Sequence, residues 1–191
     1  MKKIKIQDNI FVNPMPVVLI GSSSQRKDNF MNCAWISQVN VAPAIVSISI
    51  NKNHKTAISI KETQCFSINI PTEELMEKTD YSGMVSNRRI SKKELFDVFY
   101  SEEFKVPMIK ECAVNIECKV VDIKEFQTNT VFFGKFINCY SEKKYLTNNK
   151  LDNNKINGFS VIMPDNIYIS KGKKIGNALD ENTMKKFSLL Y

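Results

Sequence analysis

Apolar residues in this chain recur at every second position over short stretches, and that rhythm restricts what it can fold into. In Ile45–Asn51, Val46, Ile48 and Ile50 fall on one side and Ser47, Ser49 and Asn51 on the other. Successive side chains of a strand point to opposite faces, so this is the pattern of a half-buried strand. Cys65–Ile70 repeats it with Phe66, Ile68 and Ile70. Residues 114–120 set Val114, Ile116, Cys118 and Val120 against Asn115, Glu117 and Lys119. Residues 131–140 are aromatic and β-prone around Gly134, where a glycine predicts a bulge or a close backbone approach. Residues 17–20 and 159–163 suit core strands. Helical signals are short. Thr56 is placed to cap a turn or two over 57–61. Glu73 and Glu74 precede Lys78, which suits a helix dipole over 73–78. Ser91 and Glu94 match a capping box that opens a helix over 95–99. Residues 178–190 read as a terminal helix, and the polar stretch 148–157 as an exposed loop. Many closely spaced strands with few helices predict a barrel or a sandwich.

The remaining composition excludes more chemistry than it supplies. The 191 residues fit one domain, 1–191, with a core over about 10–180 and a tail at 181–191. No apolar run reaches the roughly 18 residues of a membrane-crossing helix. The first eight residues lack a signal-peptide pattern. A soluble, cytoplasmic protein that does not engage a membrane is expected. Five cysteines, odd in number and without CxxC spacing, are expected as reduced thiols. His54 is the single histidine, which removes His-rich zinc sites and leaves no metal site to propose. The six glycines form neither GxGxxG nor a P-loop. The net charge of +7 reads first as a lysine-rich surface, and it permits an anionic partner without proving one.

Three segments carry candidate function. Residues 86–93 place Arg88, Arg89, Lys92 and Lys93 at an expected helix start. Cations there are opposed by the helix's own positive end unless an anion compensates, so the segment is either a solvated basic turn or an anion site. Residues 28–35 hold the only tryptophan, Trp35, behind small and amide side chains. They read as a core tryptophan beside a strand, or as a wall for a flat aromatic ligand. Residues 49–56 are a polar turn joining a strand to a helix.

Seven stretches in order resemble the flavin reductase-like family with the FMN-binding split barrel, in its flavoredoxin branch. They are the proline-flanked opening strand 13–21, the Asn29-Phe30-Met31-Asn32-Cys33-Ala34-Trp35-Ile36-Ser37 segment, the strand and turn from Pro43 to Thr56, and Phe66–Pro71. The basic Ser86–Lys92 turn, Glu117-Cys118-Lys119-Val120, and Tyr168 with residues 174–178 complete the set. Asn32 stands where the family has Thr or Ser, Asn87 replaces a Gly, and Ser91 replaces an Asp. The resemblance implies a mainly β fold: an antiparallel, Greek-key-like split β-barrel with a few short peripheral helices. It also implies a homodimer with FMN near its interface. By the same resemblance Asn29, Met31, Asn32, Cys33, Ala34 and Trp35 would line the isoalloxazine. Ser49, Ile50, Asn51 and Thr56 would follow the ribityl chain and phosphate, and Ser86, Arg88 and Lys92 would neutralise the phosphate.

The resemblance implies no catalytic acid or base, because the flavin carries the redox chemistry. The expected activity is that of an FMN-binding oxidoreductase taking electrons from NADH or NADPH, or from a redox protein partner, to a second acceptor. The alternative within the family is a flavoredoxin-type carrier that does not itself oxidise NAD(P)H. From another class, the charge together with 12 Phe and 6 Tyr would suit a nucleic-acid-binding β-barrel. No aromatic-plus-basic strand pattern supports that reading.

Overall fold

The computed structural model describes residues 1–181 apart from 7, 9, 26 and 86–91, and describes Lys92 and Lys93 by backbone alone. Its strands, in chain order, are β1 (Met15–Pro16), β2 (Val18–Ser24), β3 (Lys27–Cys33), β4 (Ile36–Asn40), β5 (Ile45–Asn51), β6 (Cys65–Ile70), β7 (Val98–Tyr100) and β8 (Pro107–Ile109). They continue with β9 (Val114–Glu125), β10 (Asn129–Ser141), β11 (Leu146–Thr147), β12 (Lys150–Leu151), β13 (Phe159–Ile162) and β14 (Ile167–Ser170). Two α-helices interrupt them, α1 (Lys55–Thr63) and α2 (Met76–Met84).

Seven strands form one antiparallel sheet in the order β3-β2-β6-β9-β10-β5-β4. Its two edge strands are consecutive in sequence, separated only by Ala34 and Trp35. The chain thus runs from one edge directly to the other, which rolls the sheet into a barrel and removes most exposed edge. Helix α1 packs on β2, β3 and β5, elements from both ends of the sheet, and buries Ala57 and Ile60 in the barrel core. That core holds Ile20, Ile48, Ile50, Phe66, Ile68, Cys118 and Phe132, each no more than 2% exposed. A second sheet, β1-β13-β14, lies outside the seven strands.

The expected alternation holds, with one change of meaning. Cys65–Ile70 and the first half of β9 are buried on both faces, not on one. The outer face is polar but covered by the β7–β8 hairpin and the loop between its strands. Asn69 donates to the Leu19 carbonyl at 3.0 Å and accepts from the Ile109 N–H at 3.0 Å and from Asn115 Nδ2 at 2.8 Å. Ser67 donates to the Pro107 carbonyl at 2.6 Å. Buried polar groups with partners cost little, whereas unpartnered ones cost about 1–3 kcal/mol each. The serines and asparagines are therefore the condition for covering this face.

The glycine in β10 does both things expected of it. The register with β9 shifts between Phe133 and Gly134. A Cβ on Gly134 would lie 2.4 Å from the Phe66 ring, so the residue allows a close approach as well.

Helices differ more. Thr56 is not a cap: α1 starts at Lys55, two residues earlier than expected, His54 occupies the cap position, and the Thr56 side chain turns to β3. The 73–78 signal becomes a 3-10 turn at Glu73–Leu75 followed by α2. The helix expected over 95–99 is a correction. Only a 3-10 turn at Lys92–Leu95 forms, and Val98–Tyr100 is a strand paired with Pro107–Ile109. Of the expected terminal helix, most lies outside the described residues. The polar 148–157 loop contains half of a two-residue-strand hairpin and a 3-10 turn, and buries Ile156. All five cysteines are free thiols. No helix among the described residues is long and apolar enough to cross a membrane, and no group of potential ligands there could hold a metal.

Candidate functional site

A cleft of about 370 Å³ opens between the barrel and the outer three-stranded sheet, within the roughly 300–1,000 Å³ typical of ligand clefts. Its barrel wall is the passage from β3 to β4: Met31, Asn32, Cys33, Ala34 and Trp35. Its floor is the end of β5, with Ser49, Ile50 and Asn51, joined by Asn129 of β10 and by His54. Its outer wall is a row set by register. Met15 pairs with Val161, and Val161 pairs with Tyr168, so three strands present one line of side chains to the cleft. Met163 and Asn166 complete that side. Asn13 pins Met163 from both directions, donating to its carbonyl at 2.7 Å and accepting from its N–H at 3.0 Å.

The cleft has an apolar middle and a polar end. Met15, Met31, Ala34, Val161 and Met163 supply the first. Trp35 lies at the border and is 48% exposed, so it is not the core tryptophan that the local pattern also allowed. At the polar end, Asn129 Nδ2 donates to Ser49 Oγ at 3.1 Å. Asn51 turns the chain from β5 into α1: its side-chain oxygen accepts from the Asn53 N–H at 3.0 Å and its carbonyl from the His54 N–H at 2.9 Å. Such a side-chain-closed turn is what Asn does well. It brings His54, the N-cap residue of α1, to the cleft. No side chain caps that terminus and its first turn carries no acid, so its N–H groups and partial positive charge are left for an anion.

Cys33 contributes shape, not reactivity. Burial pushes its thiol up to about 12, against a weak lowering from its bond to the Trp35 carbonyl at 3.8 Å. The thiolate that would attack a substrate is absent at neutral pH.

Of the residues that the sequence singled out, Met31, Asn32, Cys33, Ala34, Trp35, Ser49, Ile50 and Asn51 come together here. Asn29 and Thr56 do not line the cleft. Both are buried, and Asn29 Nδ2 donates to Thr56 Oγ1 at 2.7 Å, tying the first turn of α1 to β3. Ser86 and Arg88 lie outside the described residues, as does the side chain of Lys92. The sequence reading missed Met15, His54, Asn129, Val161, Met163, Asn166 and Tyr168 as lining residues. The short apolar run 159–163 marks a core strand but not its partner, and the wall exists only once β1, β13 and β14 are in register.

Three comparisons bear on this architecture. A family model described as the flavin reductase like domain matches residues 12–154. Among curated proteins, an uncharacterised protein of Archaeoglobus fulgidus is 31% identical over 129 residues, covering 66% of this chain and 72% of its own. Among solved structures, a flavoredoxin from Methanosarcina acetivorans superposes with a TM-score of 0.92 at 43% identity, over 97% of this chain and all of that one. The flavoredoxin of Desulfovibrio vulgaris (Miyazaki F) gives 0.86 at 24% identity, over 95% and 100%. An FMN-binding protein from Thermus thermophilus shares the fold at 0.79 and 15% identity, over 93% and 99%.

Proposed function

This chain belongs to the flavin reductase-like family, and on that footing we propose that it is an FMN-dependent oxidoreductase. It passes electrons from a reduced nicotinamide or a protein donor, through FMN seated in the Met31–Trp35 cleft, to a second acceptor. The observation that carries this reading is the pairing, in one cleft, of an apolar slot with a polar end that reaches His54, the N-cap residue of α1, a helix with no side-chain cap. FMN has matching parts, a flat ring and a phosphate.

The residues fit the group. Met15, Met31, Ala34 and Val161 would hold the ring and keep water from its faces. Asn32 and the backbone of 32–35 offer polar partners for its edge. Ser49, Asn51 and Asn129 suit a polyhydroxyl chain, and the start of α1 with His54 suits the phosphate. Bound FMN supplies the hydride and electron transfer. The chain supplies position and electrostatics, and the exposed edge at Trp35 leaves an approach for a partner molecule.

The test uses the single tryptophan. Adding FMN to flavin-free protein is expected to quench Trp35 emission to saturation at one FMN per chain. Unchanged emission, with flavin fluorescence also unchanged, overturns the placement.

The likeness to the Methanosarcina flavoredoxin favours a second reading, a carrier that exchanges electrons only with other proteins. Anaerobic rapid mixing of the FMN-loaded protein with NADH or NADPH decides between the two. The oxidoreductase reading expects the yellow colour to bleach within seconds. A colour that persists for minutes and then bleaches with a protein donor establishes the carrier.

A further inference from the structure

We propose that Asp80 is a positioning residue of the cleft: acting through Tyr168, it holds the Asn32 amide with its oxygen free to accept from a ligand. The proposal rests on the FMN reading for its ligand, but not for its geometry. Asp80 lies on α2, behind the cleft and outside its lining. Tyr168 O–H donates to Asp80 Oδ1 at 2.8 Å, and Asn32 Nδ2 donates to the Tyr168 oxygen at 3.1 Å.

The direction of this chain follows from the groups themselves. A carboxylate only accepts, so the one tyrosine proton must go to Asp80. The tyrosine oxygen is then an acceptor, and the Asn32 end that faces it must be the NH₂ end. Asn32 Oδ1 has no partner among the described residues, and the residue lines the cleft. Asp80 therefore sets which end of a remote amide is offered to a ligand. An oxygen there recognises a ring edge that carries N–H and repels a bare nitrogen lone pair.

The surroundings hold the relay in place. The Tyr168 ring meets Phe159 edge-on, with centroids 5.4 Å apart at 87°. Gly83 on α2 would place a Cβ only 3.4 Å from Asn32 Cβ, so the helix backs directly onto the amide. Burial first, and then the Asp80 bond, push the Tyr168 hydroxyl up to about 12, so its proton stays in the chain throughout the physiological range.

Asp80→Asn keeps the shape and removes the direction. An amide at 80 can donate to the tyrosine oxygen, which frees the tyrosine proton for Asn32 and lets the Asn32 amide turn over. We expect Asp80→Asn to weaken FMN binding by roughly tenfold. In an Asn32→Ala background the same change should move the FMN dissociation constant by less than about threefold, because the amide it orients is gone. Equal effects in the two backgrounds, or no effect in the wild-type background, overturn the proposal. Tyr168→Phe keeps the ring and cuts the relay, and carries the same pair of expectations should Asp80→Asn fold poorly.

A measurement without flavin separates this idea from the FMN reading. In ligand-free protein, the Asn32 side-chain amide signals in a ¹H–¹⁵N spectrum, identified by their loss in Asn32→Ala, should include one downfield N–H that moves in Asp80→Asn. A signal pair that is unshifted in both proteins sinks the relay. Should wild-type protein bind no FMN while that signature is present, the ligand reading fails and the relay stands.

Discussion

Replacing Glu117 with Leu is expected to cost about 3–5 kcal/mol of folding stability, while Glu117→Gln should cost only about 1–2 kcal/mol. Glu117 is fully buried on the outer face of β9. Its Oε1 accepts from Ser101 Oγ at 2.5 Å and from the Phe104 N–H at 2.7 Å, and its Oε2 accepts from Asn138 Nδ2 at 2.7 Å. Ser101 in turn accepts from the Val106 N–H at 3.0 Å. One carboxylate thus gathers the loop between β7 and β8 onto the barrel. Leucine fills the space but leaves the Ser101, Phe104 and Asn138 donors, and the Glu103 N–H, without this acceptor. Glutamine keeps an oxygen for Ser101 and Phe104, and the Asn138 amide can turn to meet its NH₂. Urea unfolding checks the pair. Midpoints should fall in the order wild type, Gln, Leu with little change in slope. Equal losses for the two variants would mean that the hydrogen bonds accepted at this position do not contribute to stability.

The same group fixes a pH dependence. Burial by itself would raise the Glu117 carboxyl. The donors from Ser101, Phe104, Asn138 and Glu103 outweigh burial and hold it below the ordinary carboxylate range. A depressed native value means that the ionised form favours folding. Its contribution is complete above the unfolded value of about 4.3 and is lost as pH falls through the lower native value. The stability gap between wild type and Glu117→Gln should therefore be widest near neutrality and close in acid.

Sequence alternation puts Glu117 on the polar side of its strand, yet that side is buried. Alternation in β6 and β9 correctly separates Phe66, Ile68 and Ile116 from Ser67, Asn69, Asn115 and Glu117. Period-2 patterning says that a strand has two faces, but not whether something distant covers the second. Here the cover comes from β7 and β8, some 30 to 40 residues beyond β6 in sequence. Its first strand was itself obscured, because a capping-box signature precedes Val98-Phe99-Tyr100. Pairing of Tyr100 with Pro107 and of Val98 with Ile109 prevailed over that local signal.

The cleft divides in the same way. Its barrel side is continuous sequence, residues 31–35 and 49–51, and could be singled out from local residue types. Its outer side joins Met15 to Val161 and Tyr168 across about 150 residues. Nothing local to any of the three residues announces the other two.

The barrel core yields the second large effect. Phe66→Ala is expected to cost about 3–5 kcal/mol, on the order of a 10 °C fall in Tm for a chain of this size. Phe66 is fully buried, and its ring lies where a Gly134 side chain would be. A Cβ at 134 would sit 2.4 Å from Phe66 Cζ, 2.7 Å from Cε1 and 3.1 Å from Cys118 Cβ. Gly134→Ala alone should then destabilise by about 1–3 kcal/mol through overpacking. Combined, the two changes partly cancel. Without the ring, the new methyl loses its two severe clashes, keeps only the 3.1 Å approach to Cys118 Cβ, and fills part of the cavity that Phe66→Ala leaves. The double variant should be more stable than the sum of the single losses by about 1–3 kcal/mol, read from a thermal or urea cycle over all four proteins. Additivity within about 0.5 kcal/mol would show that ring and glycine do not share this space. Gly21 offers the contrast that makes the coupling specific. A Cβ there would lie 2.3 Å from the Pro107 carbonyl oxygen and equally close to Ser67 Oγ. Because a backbone atom blocks it, Gly21→Ala should show no comparable relief from Phe66→Ala.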